Sequence, residues 1–254
     1  MAPPAAELAA PPHWRTVDVL SDLHLQPSEP ATFDAWRRHL AGPGADALFI
    51  LGDLFEAWPG DDAADAPGFA RDCVAVLRQA AAARPVHFLH GNRDFLVGDA
   101  FARATGVRLL ADPTVLAFGG CRWLLSHGDA LCLGDTEYLA FRAQVRQPAW
   151  QRDFLARPLS ERTAIAQALR ARSEDRKRSG ASYADVDAAE AASWLQAADA
   201  QVLVHGHTHK PGGHDLGGGL RRIVLSDWDL HADPPRGEVL RIGADGAVQR
   251  LPVR

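Results

Sequence analysis

Five short apolar runs in this chain each end in residues of the kind that bind metal ions, and this recurrence constrains the fold more than any other feature. TVDVL is followed by Asp22 and His24, ALFIL by Asp53, VHFL by Asn92, RWLL by His127, and QVLV by His205, His207 and His209. Each run has the length and make-up of a strand, and ALFIL reads as one buried on both faces. Loops leaving one edge of a sheet converge on a crevice, so these five would gather Asp, His and Asn side chains in one place. Hard oxygen and imidazole ligands in such number hold divalent cations, and roughly seven are too many for one ion.

Singly, each of these residues has a plainer role. An Asp after a strand often caps a helix or turn, an Asn beside Gly is usual turn chemistry, and Gly52, Gly91, Gly128 and Gly206 are the residues expected where a chain reverses. The joint pattern favours the metal reading.

The rest of the chain supports an α/β architecture. Helical spacing over TFDAWRRHLAG and GFARDCVAVLRQAAA alternates with the early strands. TVLAF and RWLLSHGD, joined by Gly119-Gly120, read as a hairpin. RRIVLSDW, GEVLRIG and AVQRLPV return the chain to strands. Between Asp135 and Ala198 the pattern is helical, broken at Pro148, Pro158 and Gly180, and rich in Arg. The expected organisation is a flexible N-terminal tail over 1–13, a core over 14–134 and 199–254, and a helical cap over 135–198. The first residues, MAPPAAELAAPP, lack the basic and apolar regions of a secretory signal, and no stretch is long and apolar enough to span a membrane. Cys73, Cys121 and Cys132 form no CxxC pair and read as reduced thiols of a cytoplasmic protein. With 27 Lys+Arg against 32 Asp+Glu, the net charge of -5 gives no sign of a nucleic-acid partner.

The ordered set Asp22-Leu23-His24, Gly52-Asp53, Gly91-Asn92-Arg93-Asp94, His127 and Gly206-His207-Thr208-His209 resembles the signature of calcineurin-like metallophosphoesterases. Longer stretches, GDLFEAWPGDD, HGNRDFLVG, HGDALCLGDTEY and HGHTHKP, are similar to the UDP-2,3-diacylglucosamine pyrophosphohydrolase family of lipid A biosynthesis. The resemblance implies β-sheets layered between helices, with a helical cap. It also implies two divalent metal ions, with Mn2+ as the family's metal. One ion would take Asp22, His24, Asp53 and His209, and the other Asp53, Asn92, His127 and His207, with Asp53 bridging. Two such ions can clamp the attacking and leaving oxygens of an in-line displacement and acidify a water.

In the same family pattern Asn92, Arg93, Asp135, Ser173 and His207 contact substrate, Arg93 through a phosphate. Beyond Ser173 the match fails, because the chain reads Lys177, Arg178, Ser179, Gly180 where the family has Asn and then Lys. His205 precedes the GH-x-H motif and is expected to pack or to support a ligand. An extended backbone would place 205, 207 and 209 on one side, so alternation alone does not separate them. The implied reaction is attack on the α-phosphorus of UDP-2,3-diacylglucosamine, giving UMP and diacylglucosamine 1-phosphate. The implied location is cytoplasmic and peripheral on the inner membrane, with no protein partner. Apolar residues of the cap, among them Phe141, Trp150, Phe154, Leu169 and Trp194, are enough either to pack it down or to line a channel for acyl chains. A cap without such a channel would instead suit a soluble nucleotide.

Overall fold

Alternate residues of the buried strands enter two different cores, and this sets the layering. The computed structural model describes residues 2–178 and 184–253, with the side chains of 2–171 and 184–253. In chain order the strands are β1 (Ala6–Ala9), β2 (Thr16–Leu20), β3 (Ala47–Leu51), β4 (Val86–Leu89), β5 (Arg108–Leu110), β6 (Thr114–Phe118), β7 (Cys121–Leu125), β8 (Val202–His205), β9 (Gly212–Gly217), β10 (Leu220–Val224), β11 (Glu238–Gly243) and β12 (Val248–Pro252). The helices are α1 (Pro30–Ala41), α2 (Phe69–Ala83), α3 (Asp99–Thr105), α4 (Thr136–Val145), α5 (Pro148–Leu155), α6 (Leu159–Arg178) and α7 (Ala188–Ala197).

The strands form two six-stranded sheets, in the orders β1-β6-β7-β8-β10-β9 and β12-β11-β2-β3-β4-β5. Between the sheets lie Val17, Val19, Phe49 and Leu51 from one and Leu116, Trp123, Leu125 and Val204 from the other. The alternate residues Leu20, Leu48, Ile50 and Phe88 point outward, against Trp36, Leu77 and Phe101 of α1, α2 and α3. Leu124 and Leu203 face outward on the other sheet, against Trp194 and Leu195 of α7. The molecule is therefore layered helix, sheet, sheet, helix, the α/β arrangement expected.

Two boundaries differ from the sequence reading. Residues 6–9, expected in a loose tail, form β1, which pairs in parallel with β6 from Ala6–Thr114 to Ala9–Ala117. Leu8 packs against the inter-sheet core. Ala and Pro carry little strand propensity, so backbone pairing made a strand that composition did not announce. The second difference is α7. The helical pattern over 135–198 includes it in the cap, but it closes the core's outer layer. Of the described elements in that insertion, α4, α5 and α6 remain as the cap.

Asp18 shows how a charge survives inside this frame. It is 1% exposed, and the Arg241 guanidinium of β11 donates to both its oxygens, at 2.7 and 2.8 Å. Burial raises its pKa, but the bonds and charges of Arg241 and His39 outweigh it and bring the pKa down to about 2. A folded pKa below the unfolded one contributes stability above about pH 4 that is lost as pH falls through about 2. Arg241→Met is therefore expected to cost about 2 kcal/mol at pH 7, the scale of a charge-assisted hydrogen bond. Urea unfolding at a series of pH values should show the gap between variant and parent narrowing below about pH 4. A gap that stays constant to pH 2 would contradict it.

Candidate metal centre

The carboxyl ends of β2, β3, β4, β7 and β8 deliver the ligand-type residues to one place. Backbone bonds between the loops lock them there. The Asp22 amide donates to the Gly52 carbonyl, the His24 amide to Asp53, and the Gly206 amide to His127. Asp94 adds a side-chain tie, accepting from the Leu54 amide with one oxygen and from the Gly91 amide with the other, both at 2.8 Å. Burial, with the nearby Asp53 charge, pushes the Asp94 carboxyl up to about 7. Two glycines make the close approach feasible. A Cβ on Gly91 would stand 2.0 Å from Asp53 Oδ1, and one on Gly206 would stand 2.1 Å from Asp22 Oδ2.

Left-handed backbone is concentrated here. Six described residues other than glycine have positive φ, and five are Asp22, His24, Asp53, His207 and His209. Asp and His tolerate this region better than most side chains, yet each instance costs of order 1–3 kcal/mol. The same turns revise the strand argument for the histidine triplet. β8 ends at His205, and His207 and His209 reach the centre through left-handed turns (φ 66° and 53°) rather than by alternation along a strand. His205 stays fully buried, with Nδ1 2.9 Å from the Gly206 carbonyl and Nε2 3.4 Å from Arg222 Nη1. It therefore supports the loop from behind.

Both expected sets come together. In the first, His24 Nε2 lies 3.2 Å from His209 Nε2 and 4.0 Å from Asp53 Oδ2, and His209 Nε2 lies 3.5 Å from Asp22 Oδ1. In the second, Asn92 Oδ1 is 2.9 Å from both His127 Nε2 and His207 Nδ1, and His127 Nε2 is 3.7 Å from Asp53 Oδ1. Asp53 faces both groups. Ligand atoms of Asp22, His24 and His209, and of Asp22, Asp53 and His127, lie close enough to share an ion.

The donor chemistry fits cations. His127 Nδ1 lies 2.8 Å from the Leu51 carbonyl, which can only accept, so the proton sits on Nδ1. In the neutral ring, Nε2 then turns a lone pair toward Asn92 Oδ1, another acceptor. His24 Nδ1 lies 3.1 Å from a Glu56 oxygen, which likewise leaves its Nε2 lone pair facing His209. Lone pairs turned on one another at about 3 Å call for a positive charge between them. Without one, protons take its place. Burial works against a charged His127, but the Asp53 and Asp22 carboxylates outweigh it and bring its pKa up to about 9. Burial also opposes the Asp22 charge, yet His209, His127 and His24 hold its carboxyl well below the usual range. Burial and the neighbouring His127 take His207 down to about 4, so it offers a neutral ring.

Around the centre lies a cavity of about 420 Å³, lined among others by Asn92, Arg93, Asp135, Tyr138, Lys210 and Arg236. A second cavity, of about 280 Å³, shares Asn92, Arg93, Asp135 and Tyr138 with the first. It continues between core and cap along Trp58, Phe95, Phe141, Trp150 and Leu169. The Arg93 amide donates to Asp53 Oδ1 at 2.8 Å, and its guanidinium lies 3.5 Å from Glu56. Asp135 caps α4 by accepting from the Tyr138 amide, and it also lines the cavity, so both expected roles have their geometry. The side chain of Ser173 lies outside the described residues, as do those of the departure at Lys177 to Gly180.

Sequence reasoning missed three buried carboxylates that brace the site. Glu56 stands behind His24 and lies 2.6 Å from Arg170 of the cap. Asp227 stands 3.8 Å from His209 Nδ1 and pairs with Arg236 at 3.0 Å. Asp129, two residues after His127, receives side chains from α4. Glu56 and Asp129 lie inside the quoted motifs, which was the available signal. Asp227 follows the apolar end of RRIVLSDW, so the strand-end pattern was its available signal.

The sequence pattern of the calcineurin-like phosphoesterases matches residues 15–211. A UDP-2,3-diacylglucosamine hydrolase of Xanthomonas axonopodis pv. citri is 47% identical over 243 residues, covering 90% of this chain and 95% of that protein. The protein of the same name from Stenotrophomonas maltophilia is 44% identical, covering 89% and 94%. Among solved structures, an archaeal phosphodiesterase aligns over 94% of this chain and 99% of its own at 9% identity, with a TM-score of 0.45. With its five ligand-bearing loops inside the matched segment, the chain belongs to the calcineurin-like phosphoesterase family.

Proposed function

We propose that the protein hydrolyses the pyrophosphate of UDP-2,3-diacylglucosamine to UMP and 2,3-diacylglucosamine 1-phosphate. The observation that carries this reading is the continuity of the ligand-lined cavity with an apolar one through Asn92, Arg93, Asp135 and Tyr138. A soluble nucleotide has no use for the second chamber, whereas a diacylated sugar nucleotide would place its phosphates in the first and its acyl chains in the second.

Asp22, His24, Asp53 and His209 would hold one divalent ion and Asp53, Asn92, His127 and His207 the other, with Mn2+ the metal. When bound, the pair supplies Lewis acidity for the phosphate and lowers the pKa of the attacking water. The remaining work falls to the chain. Arg93 offers a forked donor to a phosphate, and Glu56 fixes that guanidinium from behind. Lys210 and Arg236 place further positive charge at the wall. In the cap, Leu155 and Leu169 are each 41% exposed. No described helix is long and apolar enough to cross a membrane. Peripheral docking on the cytoplasmic face of the inner membrane, where a lipidic substrate resides, follows from this reading.

The test is direct. Purified protein in Mn2+ should release UMP from UDP-2,3-diacylglucosamine and stop on chelation. Chelation without effect would remove the metal assignment, and release of UMP from UDP-N-acetylglucosamine alone would remove the lipid one.

A further inference from the structure

Residues 138 and 142 of α4 and Arg146, which caps its C-terminal end, are spaced by four and share one face. All three side chains converge on one oxygen of Asp129. Tyr138 donates its hydroxyl to Oδ2, Arg142 Nε donates to the same atom at 2.8 Å, and Arg146 Nη2 lies 3.8 Å from it. Asp129 is fully buried. A buried carboxylate is strongly unfavourable without partners, and here the direct donors come from the cap. Arg146 also reaches past Asp129, and its Nη2 donates to the Gly91 carbonyl at 2.9 Å. That carbonyl belongs to the peptide unit that leads into Asn92.

The contacts of this face therefore reach three residues of the centre. Arg146 holds the peptide before Asn92. Asp129 lies two residues beyond His127. The Tyr138 ring stacks on the His207 ring, centroids 5.9 Å apart and planes 27° apart. These three, Asn92, His127 and His207, are the members of the second ligand set other than Asp53.

We propose that Arg146 is a positioning residue that sets the Asn92–His127–His207 half of the metal centre from the cap. The proposal rests on the ligand sets given under the proposed function. It goes beyond them in making the cap part of the metal site's support as well as a wall for lipid. Outer partners of metal ligands typically change affinity by about 10–100-fold.

The experiment is titration of the metal-free full chain with Mn2+ alone, by calorimetry and by electron paramagnetic resonance of the ion pair. Arg146→Ala is expected to weaken one of the two ions about 10–100-fold and leave the other within about threefold. The spin-coupled signal of the pair should fade accordingly. Arg146→Lys keeps a donor for the Gly91 carbonyl and should recover most of the loss. Arg157→Ala removes an exposed ion pair with Glu161 elsewhere in the cap and should change nothing. Hydrolysis of a small chromogenic phosphodiester, which has no acyl chain for the cap to hold, should lose about tenfold in kcat with KM little changed. If Arg146→Ala does not fold, Arg146→Gln carries the same comparison.

Arg146→Ala with two ions bound as in the parent overturns the proposal. So does full activity on the small diester with loss on the lipid alone, which would make the contact a substrate-binding one. A parent chain that binds no pair of ions would overturn the assignment of the centre itself, a separate result.

Discussion

Asp53→Asn is expected to lower kcat/KM about a thousandfold or more and to leave the purified protein depleted of divalent metal. Asp53 faces both imidazole groups, with one oxygen 4.0 Å from His24 Nε2 and the other 3.7 Å from His127 Nε2. Asparagine keeps the size and tolerates the left-handed backbone at φ 50°, so the loop itself should survive. What is lost is the charge two cations would share. Losing it removes several kcal/mol from both the ion pair and the transition state, and about 4 kcal/mol is a thousandfold. His205→Ala makes the contrast. Its ring supports the loop and meets Arg222, so it should cost about 1–3 kcal/mol of stability while sparing metal content. Elemental analysis beside Mn2+-dependent kinetics checks both. Normal metal content in Asp53→Asn, or metal loss in His205→Ala as deep as in His207→Ala, would reverse the division of roles.

The second large effect is a preference for acylated substrate. The diacylated sugar nucleotide should exceed UDP-N-acetylglucosamine in kcat/KM by at least about thirtyfold, although the scissile bond is the same. Each buried methylene is worth about 0.8 kcal/mol. Five on each of two chains give about 8 kcal/mol gross, and ordering costs take much of it. A quarter remaining is about 2 kcal/mol, which is thirtyfold. Part should appear in kcat, since remote binding can hold the phosphate in line. Trp150 lines the apolar cavity and stacks on Phe154 with centroids 4.9 Å apart. Trp150→Ala should cut the preference about tenfold and spare a small phosphodiester. Equal kcat/KM for the two sugar nucleotides in the parent protein would remove the lipid assignment and leave the phosphoesterase standing. Excising the cap is a poorer test, because α4 and the Arg146 that follows it also hold Asp129 and the Gly91 carbonyl.

The strands, and the Asp, His and Asn residues gathered at their ends, were legible in the sequence because each depends on local pattern. TVDVL and ALFIL announce strands, and a polar residue after each announces a loop at one edge. What stayed hidden depends on contacts distant in the chain. Nothing near Glu56 says that Arg170 will meet it, and nothing near Asp129 says that α4 will fold back over it. β1 was hidden because its pairing with β6 is a backbone matter. The place of α7 was hidden because a helix in an insertion has the same pattern whether it covers a site or a sheet. The path of the histidine triplet was not legible either. An extended backbone would follow strand parity, and left-handed turns replace it at His207 and His209.

Those turns bear on anyone wishing to transplant this centre. Copying seven side chains onto another scaffold would copy the valences and omit the bends that aim them. At Asp22, His24, Asp53, His207 and His209 the useful direction exists only because the peptide winds the unfavoured way. A host with ordinary extended loops would point the same residues elsewhere. The portable unit is the set of five strand-end bends, with the bare glycines at 91 and 206 that let neighbouring loops touch. An engineer would graft the bends first and choose the ligands second.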